Sequence, residues 1–284
     1  MNHKIEYFLS SLKKRVLGGH TKCPYCKTDV SQGRTIDSKY VVTKLVECPA
    51  CKMLVRLPTD DIEESKGFYQ EEYTQGYTTD CPSDEELAKL IESKFVGAER
   101  DYSRYLRFFE FLKISKDKRI LDFGCSWGYG LYQMVQNGYD AEGFEVSVPR
   151  AKYGKDKLSV NIHSSGDQLS GSYDVIFSSH VLEHLPDFTL INHLYQHQLK
   201  PGGYFVAITP NGSTDFVRRD YNAFHQIWGK VHPVLLTDHF LNKNFKNDLY
   251  YLDSWDSMHP EFKVREQKSV LDKFELVYVL KKSE

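Results

Sequence analysis

An α/β fold is what this 284-residue sequence predicts, with a mostly parallel sheet behind a small cysteine-bearing head. Three observations support it. From Lys118 onward, short apolar runs alternate with helical patterns, the way strands and crossover helices of a parallel sheet read. The first of those runs leads straight into a glycine-rich turn, DFGCSWGYG. Ahead of residue 60, four cysteines fall into two pairs of identical spacing, CPYC and CPAC.

Composition bounds the function. The 37 Lys and Arg nearly balance the 39 Asp and Glu, leaving −2, so the chain as a whole is no polycation for nucleic acid. Hydrophobic residues make up 40% and charged residues 27%, the balance of an ordinary globular protein. No uninterrupted apolar run approaches the ~20 residues of a membrane helix. The opening stretch MNHKIEYFLSSLKKRVLGG breaks its apolar residues with charges, so it does not read as a signal peptide, and the expected location is the cytoplasm.

Residues 1–20 predict an amphipathic helix, with Ile5, Phe8, Leu9, Leu12 and Val16 at helical spacing beside Lys13, Lys14 and Arg15. Such a helix is expected to pack on its own protein; the alternative is an anionic membrane surface. Over residues 21–60, Cys23, Cys26, Cys48 and Cys51 form C-x2-C-x21-C-x2-C. Two knuckles of this kind supply a tetrahedral thiolate set for Zn²⁺. SKYVVTKLVEC and MLVRLP read as one strand each around the second knuckle, which makes a zinc ribbon. Its basic residues form no dense run, so it is expected to be structural, or a lid over substrate, rather than a nucleic-acid clamp. Cys81 and Cys125 have no partner at useful spacing and are read as structural.

Residues 61–117 read as a linker and helical lead-in. FYQEEYTQGY shows no period, while LAKLIESKFVGAERDYSRYLRFFEFLKI predicts one or two helices. The sheet domain, 118–284, offers seven strand candidates: RILDFG, AEGFEVS, SVNIHS, YDVIFSS, GYFVAITP, NDLYYLDSWDS and KFELVYVLKK. The last two, separated by a polar loop, suit an antiparallel pair.

The glycine-rich turn reads D-x-G-x-x-x-G-x-G over Asp122, Gly124, Gly128 and Gly130. The dinucleotide fingerprint G-x-G-x-x-G fails, because Ser126 and Gln133 stand where glycines are needed, and no Gly-Lys-Ser/Thr is present. An acid, Glu145, follows Gly124 by 21 residues at the end of the second strand. A carboxylate there is a natural acceptor for two vicinal hydroxyls.

ILDFGCSWGYG, GFEVS, YDVIFSSHVLEHLPD and LKPGGYFVAITPN together resemble the ordered motifs of class I S-adenosylmethionine (SAM)-dependent methyltransferases. The resemblance implies a Rossmann-like seven-stranded sheet. It also implies that the segment Asp122, Phe123, Gly124, Cys125, Ser126 and Gly128 lines the methionine end of SAM. Glu145, with Val146 beside it, would hold the ribose. Asp167 and Gln168 would approach the adenine, and Ser179 would close the pocket at the fourth strand. Family members often carry Gly-Thr or Gly-Ser where this chain has Ser126-Trp127; Trp127 either closes over the cofactor or packs beneath the helix.

Methyl transfer needs alignment, and an oxygen or carbon acceptor benefits from a base. The candidates are His232, just ahead of Thr237 as a helix N-cap, then His180, His225 and Tyr221. His180, Glu183 and His184 have the spacing of a metal site, although VLEHLPD recurs in the superfamily without metal. Arg218 and Arg219 are candidates for a phosphate or carboxylate clamp, or a solvated helix face. A ribbon ahead of such a domain resembles methyltransferases of sugars, nucleotide sugars and glycans in polysaccharide pathways. The expected acceptor is therefore a small molecule or glycan, by O- or C-methylation, with SAM and a structural zinc as cofactors. An RNA methyltransferase and a non-catalytic SAM-fold adaptor are the alternatives; nucleic acid is disfavoured by the charge balance, and a homo-oligomer is left open.

Overall fold

The computed structural model describes residues 3–16, 20–59, 80–256, 262 and 270–284. The tyrosine-rich stretch FYQEEYTQGY lies outside the described residues, as does the side chain of Ile5.

The helix expected first is α1, His3–Val16. The head follows as β1 (Arg34–Lys39), β2 (Thr43–Glu47) and β3 (Leu54–Leu57). SKYVVTKLVEC, expected as a single strand, is split: Tyr40 and Val41, both at positive φ (54° and 64°), turn the chain back, and β1 pairs antiparallel with β2. Two successive left-handed residues make the tight turn of a hairpin. Because neither is Gly or Asn, the turn carries no compositional flag.

The lead-in forms two helices, α2 (Asp84–Glu92) and α3 (Ser103–Phe111). Ser83 opens α2 with a reciprocal capping box to Glu86. Seven strands then build the large sheet: β4 (Arg119–Phe123), β5 (Asp140–Phe144), β6 (Ile162–His163), β7 (Tyr173–Ser179), β8 (Leu199–Pro210), β10 (Leu249–Trp255) and β11 (Glu275–Lys281). Their order is β10-β11-β8-β7-β4-β5-β6, with β11 antiparallel to both neighbours and the other pairings parallel. The expected antiparallel pair is thus present. Helices α4 (Tyr129–Gln136), α5 (Val148–Leu158) and α6 (Thr189–His193) supply crossovers, α6 continuing as a wider turn to Gln198. Between β8 and β10 lie α7 (Thr214–Arg219), α8 (Tyr221–Ile227), the two-residue strand β9 (Val234–Leu235) and α9 (Asp238–Asn244).

Strand order reverses between β4 and β7, and the crevice at that reversal is where open α/β sheets bind ligands. The head is not an appendage. β9 pairs antiparallel with β3, completing a four-stranded sheet β1-β2-β3-β9. One apolar core runs from Cys23, Val46 and Val55 of the head to Phe205, Phe240 and Tyr278 of the large domain.

Candidate functional site

Gly124 closes β4 at φ +84°, and a Cβ there would fall 2.3 Å from the Val181 side chain. The loop therefore lies directly against the segment that leaves β7. Gly128, at φ +82°, starts α4 in the left-handed conformation that glycine adopts without strain. At Gly130 a Cβ would meet the Tyr102 ring at 2.2 Å. Trp127 is fully buried against Phe95, Tyr129 and Tyr153, so of its two readings the structure shows packing beneath the helix.

Asp122 is buried at the end of β4, and its Oδ2 has no hydrogen-bond partner among the described residues. Burial, and then the charge of Glu145, push its carboxyl up to about 7. Phe123 is buried and stacks on Phe144. The Cys125 thiol is buried and its ionisation suppressed, first by burial. Glu145 accepts hydrogen bonds from the backbone N–H groups of Ser126 (3.0 Å) and Ser147 (2.7 Å), which fix its carboxylate beside the loop. Each oxygen keeps lone-pair capacity for a ligand hydroxyl. Arg150 donates to the Ser126 hydroxyl. Val146 is exposed next to Glu145.

Past β6, Asp167 and Gln168 close a short turn. Gln168 uses its Oε1 to accept from Ser164 and Ser165, and Asp167 accepts from the Ser165 hydroxyl, so both side chains serve their own turn. Ser179 donates to the Tyr105 hydroxyl at 2.8 Å, joining β7 to α3.

The histidines separate into two groups. His180, at φ +55°, lies 3.0 Å from Glu275 and 3.4 Å from Glu183. Burial alone would lower its pKa, but the two carboxylates outweigh it and hold the ring up to about 9. His180 is an imidazolium at neutral pH, the wrong state for a general base. Glu275 also takes both terminal nitrogens of Arg104, at 3.2 and 3.1 Å. Two cations thus match two buried carboxylates. Sequence reasoning missed Arg104 and Glu275; the only signal was an acid opening the otherwise apolar run ELVYVL.

His184 donates from Nδ1 to the Val231 carbonyl at 2.7 Å, and burial lowers its pKa, so the ring is neutral. Its centroid lies 4.7 Å from that of His232. His232 is tied through Nδ1 to the Ile227 carbonyl. That bond needs an N–H at Nδ1 and leaves a lone pair at Nε2 in the neutral ring. Glu183 is fully buried, and neither carboxylate oxygen has a hydrogen-bond partner among the described residues. Glu183, His184 and His232 bring one donor atom each within 4.8 Å of one another.

His225 and Tyr221 are engaged elsewhere. Asp37 of β1, nearly buried, accepts from the Tyr221 hydroxyl (2.7 Å), His225 Nδ1 (2.7 Å) and Trp228 Nε1 (2.8 Å). Burial opposes its ionisation, but these bonds hold its carboxyl below the usual range. Nothing in RTIDSK marked this residue beforehand. Arg218 and Arg219 are exposed at the end of α7, with Arg219 donating to the Asp272 carbonyl.

The cysteine knuckles are near copies. In each, the Lys after the second cysteine (Lys27, Lys52) takes positive φ and donates its N–H to the carbonyl of the first at 3.0 Å. The Sγ atoms of Cys23 and Cys51 are 3.6 Å apart and those of Cys26 and Cys48 are 3.5 Å apart. Four thiolates at about 2.3 Å from a tetrahedral zinc stand roughly 3.8 Å from each other, so the donor set fits the metal. Of the other two cysteines, Cys125 is buried, whereas Cys81 is exposed and fills no core position.

A family profile described as "Methyltransferase domain" matches residues 97–258, more than half of the chain. The chain belongs to that family. A ubiquinone biosynthesis O-methyltransferase of Erwinia tasmaniensis is 25% identical over 109 residues, 34% of this chain and 45% of that protein. Its counterpart in Pectobacterium atrosepticum is 27% identical over 104 residues, 33% of this chain and 43% of that protein. The chain thus spans less than half the length of these curated relatives. Among solved structures, geranyl diphosphate C-methyltransferase of Streptomyces coelicolor A3(2) matches with a TM-score of 0.52 and 13% identity, covering 78% of this chain and 97% of that one. The seven-stranded sheet of this methyltransferase-family chain is therefore the Rossmann-like methyltransferase fold. Among the described residues, no helix is long and apolar enough to cross a membrane.

Proposed function

We propose that the protein is a SAM-dependent methyltransferase that transfers a methyl group to a hydroxyl of a small-molecule acceptor, with a structural zinc in the head. The observation that carries this reading is the contact of Gly124 with Val181: it sets the glycine loop and Glu145 beside the segment bearing Glu183 and His184, where His232 also sits. SAM at the loop brings an activated methyl to the sheet crevice. The chain's own part is to bind, to align and to accept a proton. His232 suits the last task, because the Ile227 carbonyl holds the N–H at Nδ1 and leaves Nε2 as the basic atom. Cys23, Cys26, Cys48 and Cys51 would hold the zinc, which stabilises the head without entering the reaction.

The acceptors to assay are a sugar, nucleotide sugar or glycan, suggested by the order of ribbon and methyltransferase domain, and a ubiquinone-pathway compound, suggested by the relatives' name. Incubation with methyl-labelled SAM and fractionated cell extract tests the reading: label should enter the small-molecule or glycan pool. Label in RNA, or failure to bind SAM, would overturn it. His232→Ala should leave SAM affinity within about twofold and lower turnover by roughly 10²–10⁴-fold; an unchanged rate removes His232 as the base.

The clustering of Glu183, His184 and His232 favours a second reading. One donor atom from each lies within 4.8 Å of the others, which suits a divalent cation that polarises the acceptor oxygen. Added Mg²⁺, Mn²⁺ or Zn²⁺ should then restore activity lost on mild chelation. Turnover indifferent to these metals leaves the base reading alone.

A further inference from the structure

The first helix turns its apolar stripe outward. Leu9, Leu12 and Val16 are 49%, 38% and 75% exposed, and their spacing places them on one side of α1. Ser11 is buried and Phe8 half-buried, so α1 is seated by a neighbouring face and the stripe is left over. Arg15 Nη1 donates to the Val41 carbonyl at 2.6 Å, which holds the end of α1 against the β1–β2 turn. At that turn Tyr40 and Val41 are 50% and 85% exposed. Five apolar side chains from two elements thus meet solvent in one region. Its charge is one-sided: the last turn of α1 carries Lys13, Lys14 and Arg15 and no acid, within a chain whose net charge is −2.

We infer that α1 and the β1–β2 turn seat this protein on an anionic lipid bilayer, the apolar stripe and Val41 entering the interface and the basic residues facing the headgroups. An amphipathic helix with an apolar side and a basic flank binds in this way, through buried apolar area together with attraction to anionic lipid. Charge decides for anionic lipid: a basic helix end beside exposed apolar side chains is drawn to a negatively charged interface.

The test is co-sedimentation of the full chain with phosphatidylcholine vesicles, with and without phosphatidylglycerol. Binding should be at least about tenfold tighter with the anionic lipid and should fall as salt screens the charges. Val16→Glu combined with Val41→Glu should abolish it. Both positions face water, so the thermal midpoint should stay that of the parent, and Lys13→Glu should weaken binding without touching the stripe. Absence of binding to anionic vesicles would overturn the inference, as would binding indifferent to these substitutions. A lipid-free dimer broken by the same substitutions would assign the surface to a second copy instead.

Discussion

Asp122 shows how much the fold concentrates in one side chain. It sits under the glycine loop with one oxygen unpaired and a carboxyl pushed up to about 7. From about pH 4 to pH 7 the unfolded chain ionises this group while the folded protein keeps the proton, so this site costs the ligand-free fold stability as pH rises through that window. Asp122→Asn should therefore lose less thermal stability than the parent between pH 4.5 and 7. A cationic ligand at the loop would draw the proton off. SAM binding near pH 6 should release protons, seen by calorimetry in buffers of different ionisation enthalpy, and Asp122→Asn should release fewer. The loop, Glu145 and the cysteine knuckles were legible because each has a spacing that few other structures demand. The bonds of Glu275 were not: it lies 95 positions from His180 and 171 from Arg104, and no local pattern links them. The capping turn of Asp167 and Gln168 was not legible either, because a short turn of three residues has no period to read.

At the scale of elements, strands and crossovers followed from periodicity, and Thr237 caps α9 as its sequence context suggested, accepting from Phe240 N–H at 2.9 Å. What periodicity could not show is how the head uses the insertion after β8. Asp37 gathers Tyr221, His225 and Trp228 from α8 and its end, and β3 takes β9 as its outer neighbour. Asp37→Ala would leave the buried Trp228 N–H without its acceptor, at a cost of about 1–3 kcal/mol, read as a lowered urea midpoint. Asp37→Asn should recover part of that loss. If α8 shapes the acceptor side, both variants should bind SAM normally and turn over acceptor more slowly.

For the whole molecule the shared core makes a sharper demand. Tyr25, inside the first knuckle, packs edge-on to Phe188, Phe240 and Phe245, and Asn244 donates to the Cys51 carbonyl at 2.9 Å. The head and the large sheet should therefore melt together. Removing zinc with a strong chelator should lower a single calorimetric transition, whereas a separate low-temperature step would show that the head is held loosely. The cysteine spacing and the strand pattern marked off a head and a sheet domain; they could not reveal that one hydrophobic core serves both, because core continuity depends on which faces meet.

The pairing of β3 with β9 also governs the order in which the chain can be completed at the ribosome. Thr237 reaches back 185 positions to the Lys52 carbonyl, and Trp228 reaches 191 back to Asp37. Translation at about 5–20 residues per second leaves the emerged head waiting roughly 10–40 s for these partners. During that interval the outer edge of β3 is open to other strands, a state that invites misassociation. The knuckles can close locally as soon as residue 51 has emerged, so metal capture would hold the nascent head in register until its last strand arrives.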